Sequence, residues 1–193
     1  MRSFRRGYTL VEVLIVVTVM GIAGALVIPS MGGAGVLRVQ AAVRAVVSDI
    51  AFAQSDSLAF QTGRAVLFPE NTNGYSLVEV RGSNIDASTD LMYSNGFQNA
   101  QYGDARIVSV NLAGSDGRTL IFDELGSPVT AAGGSTPASN GTIVIEGSGQ
   151  RYTLTIEGYT GRVSVVRTEI LPESGGGGGG GEIVTSEGGE SND

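Results

Sequence analysis

Polar and apolar positions along this chain fall into three regimes. From Val13 to Leu37 there are 25 residues without a charge, more than the roughly 20 that an α-helix needs to cross about 30 Å of hydrocarbon. Arg2, Arg5 and Arg6 precede the run, and a basic flank holds its end of a span on the cytoplasmic side. Glu12 sits at the start of the run, where an ionised carboxylate in lipid is costly and usually functional. Gly21, Gly24 and Pro29 lie inside it and weaken helix by about 1 kcal/mol per Gly and 3 kcal/mol for Pro relative to Ala. A kink or local melting is expected there, and Gly32, Gly33 and Gly35 extend the weakness.

In the second regime Val39, Val43, Val46, Ile50, Ala53 and Phe60 recur at helical spacing, with Arg38, Arg44, Asp49 and Asp56 elsewhere on the wheel. The pattern predicts an amphipathic helix whose apolar stripe packs on a sheet. Taken as one rod, residues 9–62 would measure roughly 80 Å at 1.5 Å per residue.

From Arg64 onward the period shifts towards two, and Gly or Asx punctuates the chain in the manner of antiparallel strands. Strands are predicted at 64–68, 75–81, 106–112, 118–123, 142–146, 151–157 and 162–167. Pro69 to Gly74 and Gly147 to Gln150 read as hairpin turns, and residues 82–105 and 127–140 as loops. After Arg167 the character changes again. Pro172 opens a tail with seven consecutive glycines, Gly175 to Gly181, and five acids without a base. Such a sequence buries too little surface to order itself and is expected to be a flexible appendage, either a linker remnant or a docking tail.

Composition narrows the chemistry. A length of 193 residues suits one globular domain with appendages. With 41% hydrophobic and 16% charged residues and 30 glycines, short strands joined by glycine turns fit better than a helical bundle. All 12 basic residues are Arg; Lys, His and Cys are absent. That removes the commonest general base, the usual zinc ligands, the thiol nucleophile, the Schiff-base amine and the P-loop lysine. Serines are plentiful but lack an activator, so neither an enzyme nor a cofactor or small-molecule ligand is expected. The formal charge of -7 repels phosphate backbones, which disfavours nucleic acid. Asp86, Asp90 and Asp104 in the long loop offer oxygens of the kind Ca²⁺ takes, but their spacing matches no EF-hand, and no metal is assigned.

Two generic readings of the N-terminus compete: a secretory signal cut near Ala23-Gly24-Ala25, or a plain membrane anchor. The apolar run continues past the first, and neither explains Glu12. The stretch RRG/YTLVEVLIVVTVMGIAGALVIP resembles the class III signal of type IV prepilins and type II secretion pseudopilins. The resemblance implies cleavage between Gly7 and Tyr8 by prepilin peptidase, N-methylation of Tyr8 and retention of the apolar segment. Family members usually begin with Phe, so Tyr8 is a departure. It also implies that Glu12, the fifth mature residue, takes part in subunit addition. Pairing with the Tyr8 ammonium of a neighbour would offset a cost of about 2.5–3.5 kcal/mol for a buried acid. The alternative is a Glu12 hydrated at the headgroup boundary. Related pilins carry a glycine and a proline at the positions of Gly21 and Pro29 and unwind between them when packed in filaments.

FDELGSPV (Phe122 to Val129) and YTLTIEGYTGRVSV (Tyr152 to Val165) resemble the paired motifs near the end of GspH/FimT-type proteins. Gly126 and Pro128 suit a tight turn, Gly161 a positive φ, and Asp123 an acceptor for a turn N–H; structural roles are favoured over catalytic ones. FimT-like relatives are linked to DNA uptake through basic residues, for which Arg151, Arg162 and Arg167 are the nearest in character. Removing the leader leaves 12 - 3 = 9 bases against 19 acids, which argues against that role.

The expected organisation is a leader at 1–7, a transmembrane and assembly helix at 8–29, an amphipathic continuation at 30–63, a GspH/FimT-like β domain at 64–171 and an acidic tail at 172–193. The fold class is α+β, a pilin-like fold with a long N-terminal helix on an antiparallel sheet. The expected function is that of a minor pseudopilin of the type II secretion pseudopilus, with a minor type IV pilin for assembly, adhesion or DNA uptake as the alternative. Both place the chain in the inner membrane as a single-pass protein, its C-terminal domain in the periplasm, partnered by other pilin or pseudopilin subunits. A secreted enzyme or sugar-binding β sandwich with a cleaved leader is the reading from another class.

Overall fold

The computed structural model describes residues 8–27 and 34–170. The leader with Gly7, the positions of Pro29, Gly32 and Gly33, the continuity of the helical rod between them, and the glycine-rich tail lie outside the described residues.

Helix α1 runs Leu10–Val27 and helix α2 runs Ala34–Phe60. α1 passes through Gly21 and Gly24 without interruption, so the expected melting does not occur at those two positions. A penalty of about 1 kcal/mol per glycine is spread over a helix whose other residues are mostly good or moderate formers.

α2 buries Val39, Ala42, Val43, Val46, Ile50, Ala53 and Ser57, the i, i+3, i+4 stripe of an amphipathic helix. The stripe ends one turn earlier than expected, because Phe60 is 68% exposed. Gln61 adopts a left-handed φ of 49° and the Thr62 N–H donates to the Ser57 carbonyl at 3.2 Å. This C-terminal cap stops the helix and turns Phe60 away from the core.

Among the described residues nine strands form two antiparallel sheets. The first holds β1 (Arg64–Leu67), β2 (Gly74–Glu79), β3 (Leu91–Gly96), β5 (Thr119–Phe122) and β6 (Pro128–Val129) in the order β3-β2-β1-β5-β6. The second holds β4 (Arg106–Asn111), β7 (Gly141–Gly147), β8 (Gln150–Ile156) and β9 (Val163–Glu169) in the order β4-β7-β8-β9. Seven strands lie within two residues of the predicted positions. β3 and β6 do not: they fall in segments expected to be loops. Their Ser, Asn, Gly and Pro content carries little strand propensity, and cross-strand pairing supplies what propensity does not.

Register explains the burial. Val66 lies opposite Leu77 on one side and Leu120 on the other, and these three side chains face α2 in the main core. The second sheet offers Ile143 opposite Leu154 and Ile145 opposite Tyr152 to the same core. The α2 stripe therefore sits against both sheets, where the expectation was one. The reverse face of the first sheet is also covered: Ala65, Val78, Ile121, Val80 and Val129 form a second small core packed by Ile85 and Ala132. A sheet buried on both faces loses its polar alternation, which is why β5 is buried at every position.

Candidate functional site

Two places in the chain carry the predicted functional residues, and α1 is the first. Its N-terminus is capped by Thr9, whose Oγ1 accepts the Glu12 N–H at 3.2 Å while the Thr9 carbonyl accepts the Glu12 and Val13 N–H groups. Thr9-x-x-Glu12 is thus the sequence of a capping box, with Glu12 at the third helical position. A carboxylate there is favoured by the helix dipole by about 0.3–1 kcal/mol, a local role beyond the one expected of Glu12. The signal for it was present in the S/T-x-x-E spacing.

Every described side chain from Tyr8 to Gly24 is exposed. The exposed set includes Leu14, Ile15, Val17, Val19, Met20 and Ile22, each 56–71% accessible, and they point around the whole circumference. A helix apolar on all sides is one that other apolar material buries. Among the described residues no helix is long and apolar enough to cross a membrane; the 18 residues of α1 measure roughly 27 Å against about 30 Å of hydrocarbon.

The second place is formed by the two C-terminal motifs. The Asp123 carboxylate accepts the Leu125 N–H at 2.9 Å and the Ser127 N–H at 2.7 Å. Its backbone N–H donates to the Ser127 carbonyl, so Asp123 closes the turn from both ends. Gly126 has φ +73° and Gly161 φ +70°; Pro128 opens the short strand β6 and pairs with Phe122. The two turns meet at a residue of α2 that lies outside both motifs. Gln54 of α2 donates from Nε2 to the Gly126 carbonyl and to the Thr160 carbonyl, both at 2.8 Å. A Cβ on Gly161 would stand 2.8 Å from Gln54 Nε2 and 3.0 Å from Phe122 Cε1, so only glycine admits the amide. No local pattern marked Gln54, because a glutamine on the polar side of a helix is ordinary.

A cleft of about 540 Å³ borders the Asp123 turn, with Val80, Phe122 and Leu125 among its walls. Its ionisable groups are Asp123 and Glu124, and Asp123 Oδ1 is engaged in the turn. Nothing in the lining pairs a nucleophile with a base.

Asp86, Asp90 and Asp104 each have their own partners. Asp86 accepts the hydroxyl and N–H of Ser88 at 2.6 and 2.8 Å, bonds that hold its carboxyl below the ordinary range. Asp90 pairs with Arg81 at 3.2 Å. Asp104 accepts the N–H and hydroxyl of Ser148 at 2.6 and 2.8 Å; those two bonds lower its pKa. Among the described residues no three potential metal ligands cluster. Arg151 and Arg106 both grip Glu146, at 2.5 and 3.1 Å; the Arg151 bond foremost holds the Glu146 carboxyl low. Arg167 pairs with Glu169 at 3.5 Å, and Arg162 is exposed.

Polar groups also tie α2 to the first sheet. Arg64, 4% exposed, places Nε 2.5 Å from Asp56 Oδ2. The Tyr75 hydroxyl donates to Asp49 and accepts from Asn95 Nδ2; burial, then the bond to Asp49, pushes its pKa upward.

Residues 2–28 match the family described as the prokaryotic N-terminal methylation motif. No curated protein sequence matches the chain. Two crystal structures of the type IV minor pilin FimU of Pseudomonas aeruginosa, in space groups P21 and P65, are similar in fold with TM-scores of 0.47 and 0.46. Identity is 14% and 15%, over 66% of this chain and 87% and 91% of those chains.

Proposed function

We propose that this chain is a structural subunit of a pilin-like filament, cut after Gly7, methylated on Tyr8 and held in the inner membrane by its apolar helix until it is added to the polymer. One observation carries the reading. The helix within the methylation-motif match is apolar around its circumference and finds no cover among the described residues, so lipid before assembly and neighbouring helices afterwards are the environments that stabilise it. The uncharged run continues beyond Val27 as far as Leu37, which gives the length that a span requires.

Glu12 adds direction to that transfer. A carboxylate is costly in lipid, and the Tyr8 ammonium of an adjoining subunit supplies a counter-ion that a lone subunit does not meet. The capping role at the helix start is compatible with this, because the N-terminal turn is where both the amine and the acid reside. The folded domain of two sheets on α2 is then the outer part of the subunit, and its turns serve packing.

Among filaments, we assign the chain to the minor pseudopilins of type II secretion. The paired motifs at Asp123 to Pro128 and at Gly161 also suit a minor subunit of a type IV pilus. The secretion and piliation phenotypes of a deletion separate the two.

Glu12→Gln and Glu12→Ala test the shared core. Filament incorporation is expected to fall sharply, with the membrane-held subunit accumulating and the folded domain unchanged; incorporation equal to wild type sinks the reading. The N-terminal mass of the mature protein is a second check: methylated Tyr8 is expected, and a start near Leu26 refutes retention of the helix.

A further inference from the structure

Among the described residues the edge of the second sheet is open along β9. The Glu157 N–H donates to the Arg162 carbonyl and the Ile170 N–H to the Gly149 carbonyl, and the pairing between them has no register shift. In an antiparallel pair successive residues alternate between bonding the partner and facing away. The even positions of β9 therefore serve β8, and the N–H and C=O groups of Val163, Val165 and Arg167 face outward. Edge strands are commonly blunted by proline, bulges or lysine. The Val163-Ser164-Val165-Val166 stretch has none of these.

A groove of about 400 Å³ runs beside this edge, between β8, β9 and α2, lined by Gln40, Val43, Arg44, Val47, Tyr152 and Val165. Val165 lies opposite Leu154, and Arg167 opposite Tyr152, so side chains on the inner face of β9 overhang the helix. The Tyr152 hydroxyl is buried and has no hydrogen-bond partner among the described residues, and the same is true of Gln150 Oε1 on the same strand. Val165 and Val166 are 43% and 61% exposed. The site thus presents a row of backbone donors and acceptors that an extended polypeptide satisfies, an apolar trough for its side chains and the cations Arg44 and Arg167.

The sequence holds a segment of matching chemistry. Residues 182–187 read Glu-Ile-Val-Thr-Ser-Glu, branched apolar residues between acids, separated from Ile170 by 11 residues of which seven are glycine. A hairpin back onto the same strand needs only about two to five residues. A glycine-rich spacer of this length reaches roughly 18 Å, which suits delivery to an adjoining molecule.

We propose that the β9 edge and its groove receive the Glu182–Glu187 segment of a neighbouring copy as an added strand. The inference rests on the reading that copies assemble side by side, but its test needs no filament.

The probe is a fluorescent peptide of residues 180–188, titrated into the full chain in detergent micelles, with Ile183→Asp in that chain to disable its own segment. Saturable binding is expected. Val165→Pro should weaken it by roughly tenfold or more, since it removes an outward N–H and leaves the β8 ladder intact. Val165→Thr should retain it, and an unchanged melting curve for Val165→Pro separates lost docking from lost folding. Absence of saturation, or equal affinity in Val165→Pro, overturns the proposal. In the unmodified chain, exchange protection of the Val163, Val165 and Arg167 amides should rise with protein concentration; protection independent of concentration would mean that each chain covers its own edge, and also overturns it. Filament loss in Glu12 variants is read separately, so the two ideas stand or fall apart.

Discussion

Gln54 Nε2 lies 2.8 Å from the carbonyl oxygen of Gly126, a bond between residues 72 positions apart that fastens the FDELGSPV turn to the C-terminal part of α2. The same amide reaches Thr160, so one side chain holds both C-terminal motifs. Gln54→Ala leaves two carbonyls without a donor and is expected to destabilise the domain by about 1–3 kcal/mol, measured by urea unfolding. Gln54→Glu keeps the shape and loses the donors, so it should be at least as harmful. If both variants unfold at the wild-type midpoint, the clasp is ornamental.

Gly161 and Gly117 separate backbone strain from crowding. Both have left-handed φ, +70° and +69°, but a Cβ at Gly117 meets nothing within 4 Å while one at Gly161 meets Gln54 and Phe122. Gly117→Ala should cost about 1 kcal/mol from conformation alone. Gly161→Ala adds displacement of the amide and should cost roughly 1–3 kcal/mol more. Equal costs would mean that the Gln54 contact yields freely.

Arg64 and Asp56 form a buried pair joining the last turns of α2 to β1. Removing one partner strands the other, so Arg64→Met is expected to cost about 3–5 kcal/mol. The double variant Arg64→Met/Asp56→Leu should recover much of the loss. A thermal-melt double-mutant cycle checks this; strictly additive losses would refute the coupling.

Asp104 links stability to acid. Its folded pKa is depressed by the Ser148 bonds, so its contribution is present above the unfolded value, about 3.9, and is lost as pH falls through the folded one. Asp104→Asn should therefore flatten the stability profile below about pH 4 and change it little near neutrality in slope. Tyr75 has the opposite sign: its pKa is raised, so its contribution is present below the unfolded value, about 10, and is lost at higher pH. Tyr75→Phe should remove part of the alkaline fall, read from melting temperature against pH.

Much of the architecture was written locally. The uncharged run, the stripe from Val39 to Ala53 and the period-two segments each depend on neighbours a few positions away, and helix and strand geometry repeats over that distance. The turn at Asp123 and the left-handed Gly161 were legible for the same reason. Glu12 is visible as an anomaly, and the Thr9-x-x-Glu12 spacing carries the capping box that the helix start realises.

Tertiary structure decided the rest. β3 has little propensity of its own and exists because β2 offers a ladder, while β6 exists because β5 does. Gln54, Asp56 and Tyr75 acquired partners only when sheet register brought distant positions together, and no sequence window spans the 106 residues between Gln54 and Thr160. The open edge of β9 is likewise a fact of strand order, since a strand's backbone groups are spent or free according to where it falls in the sheet. Periodicity fixes which face of an element is apolar; which other face covers it is chosen by the chain as a whole, because burial is non-directional and pairing is not.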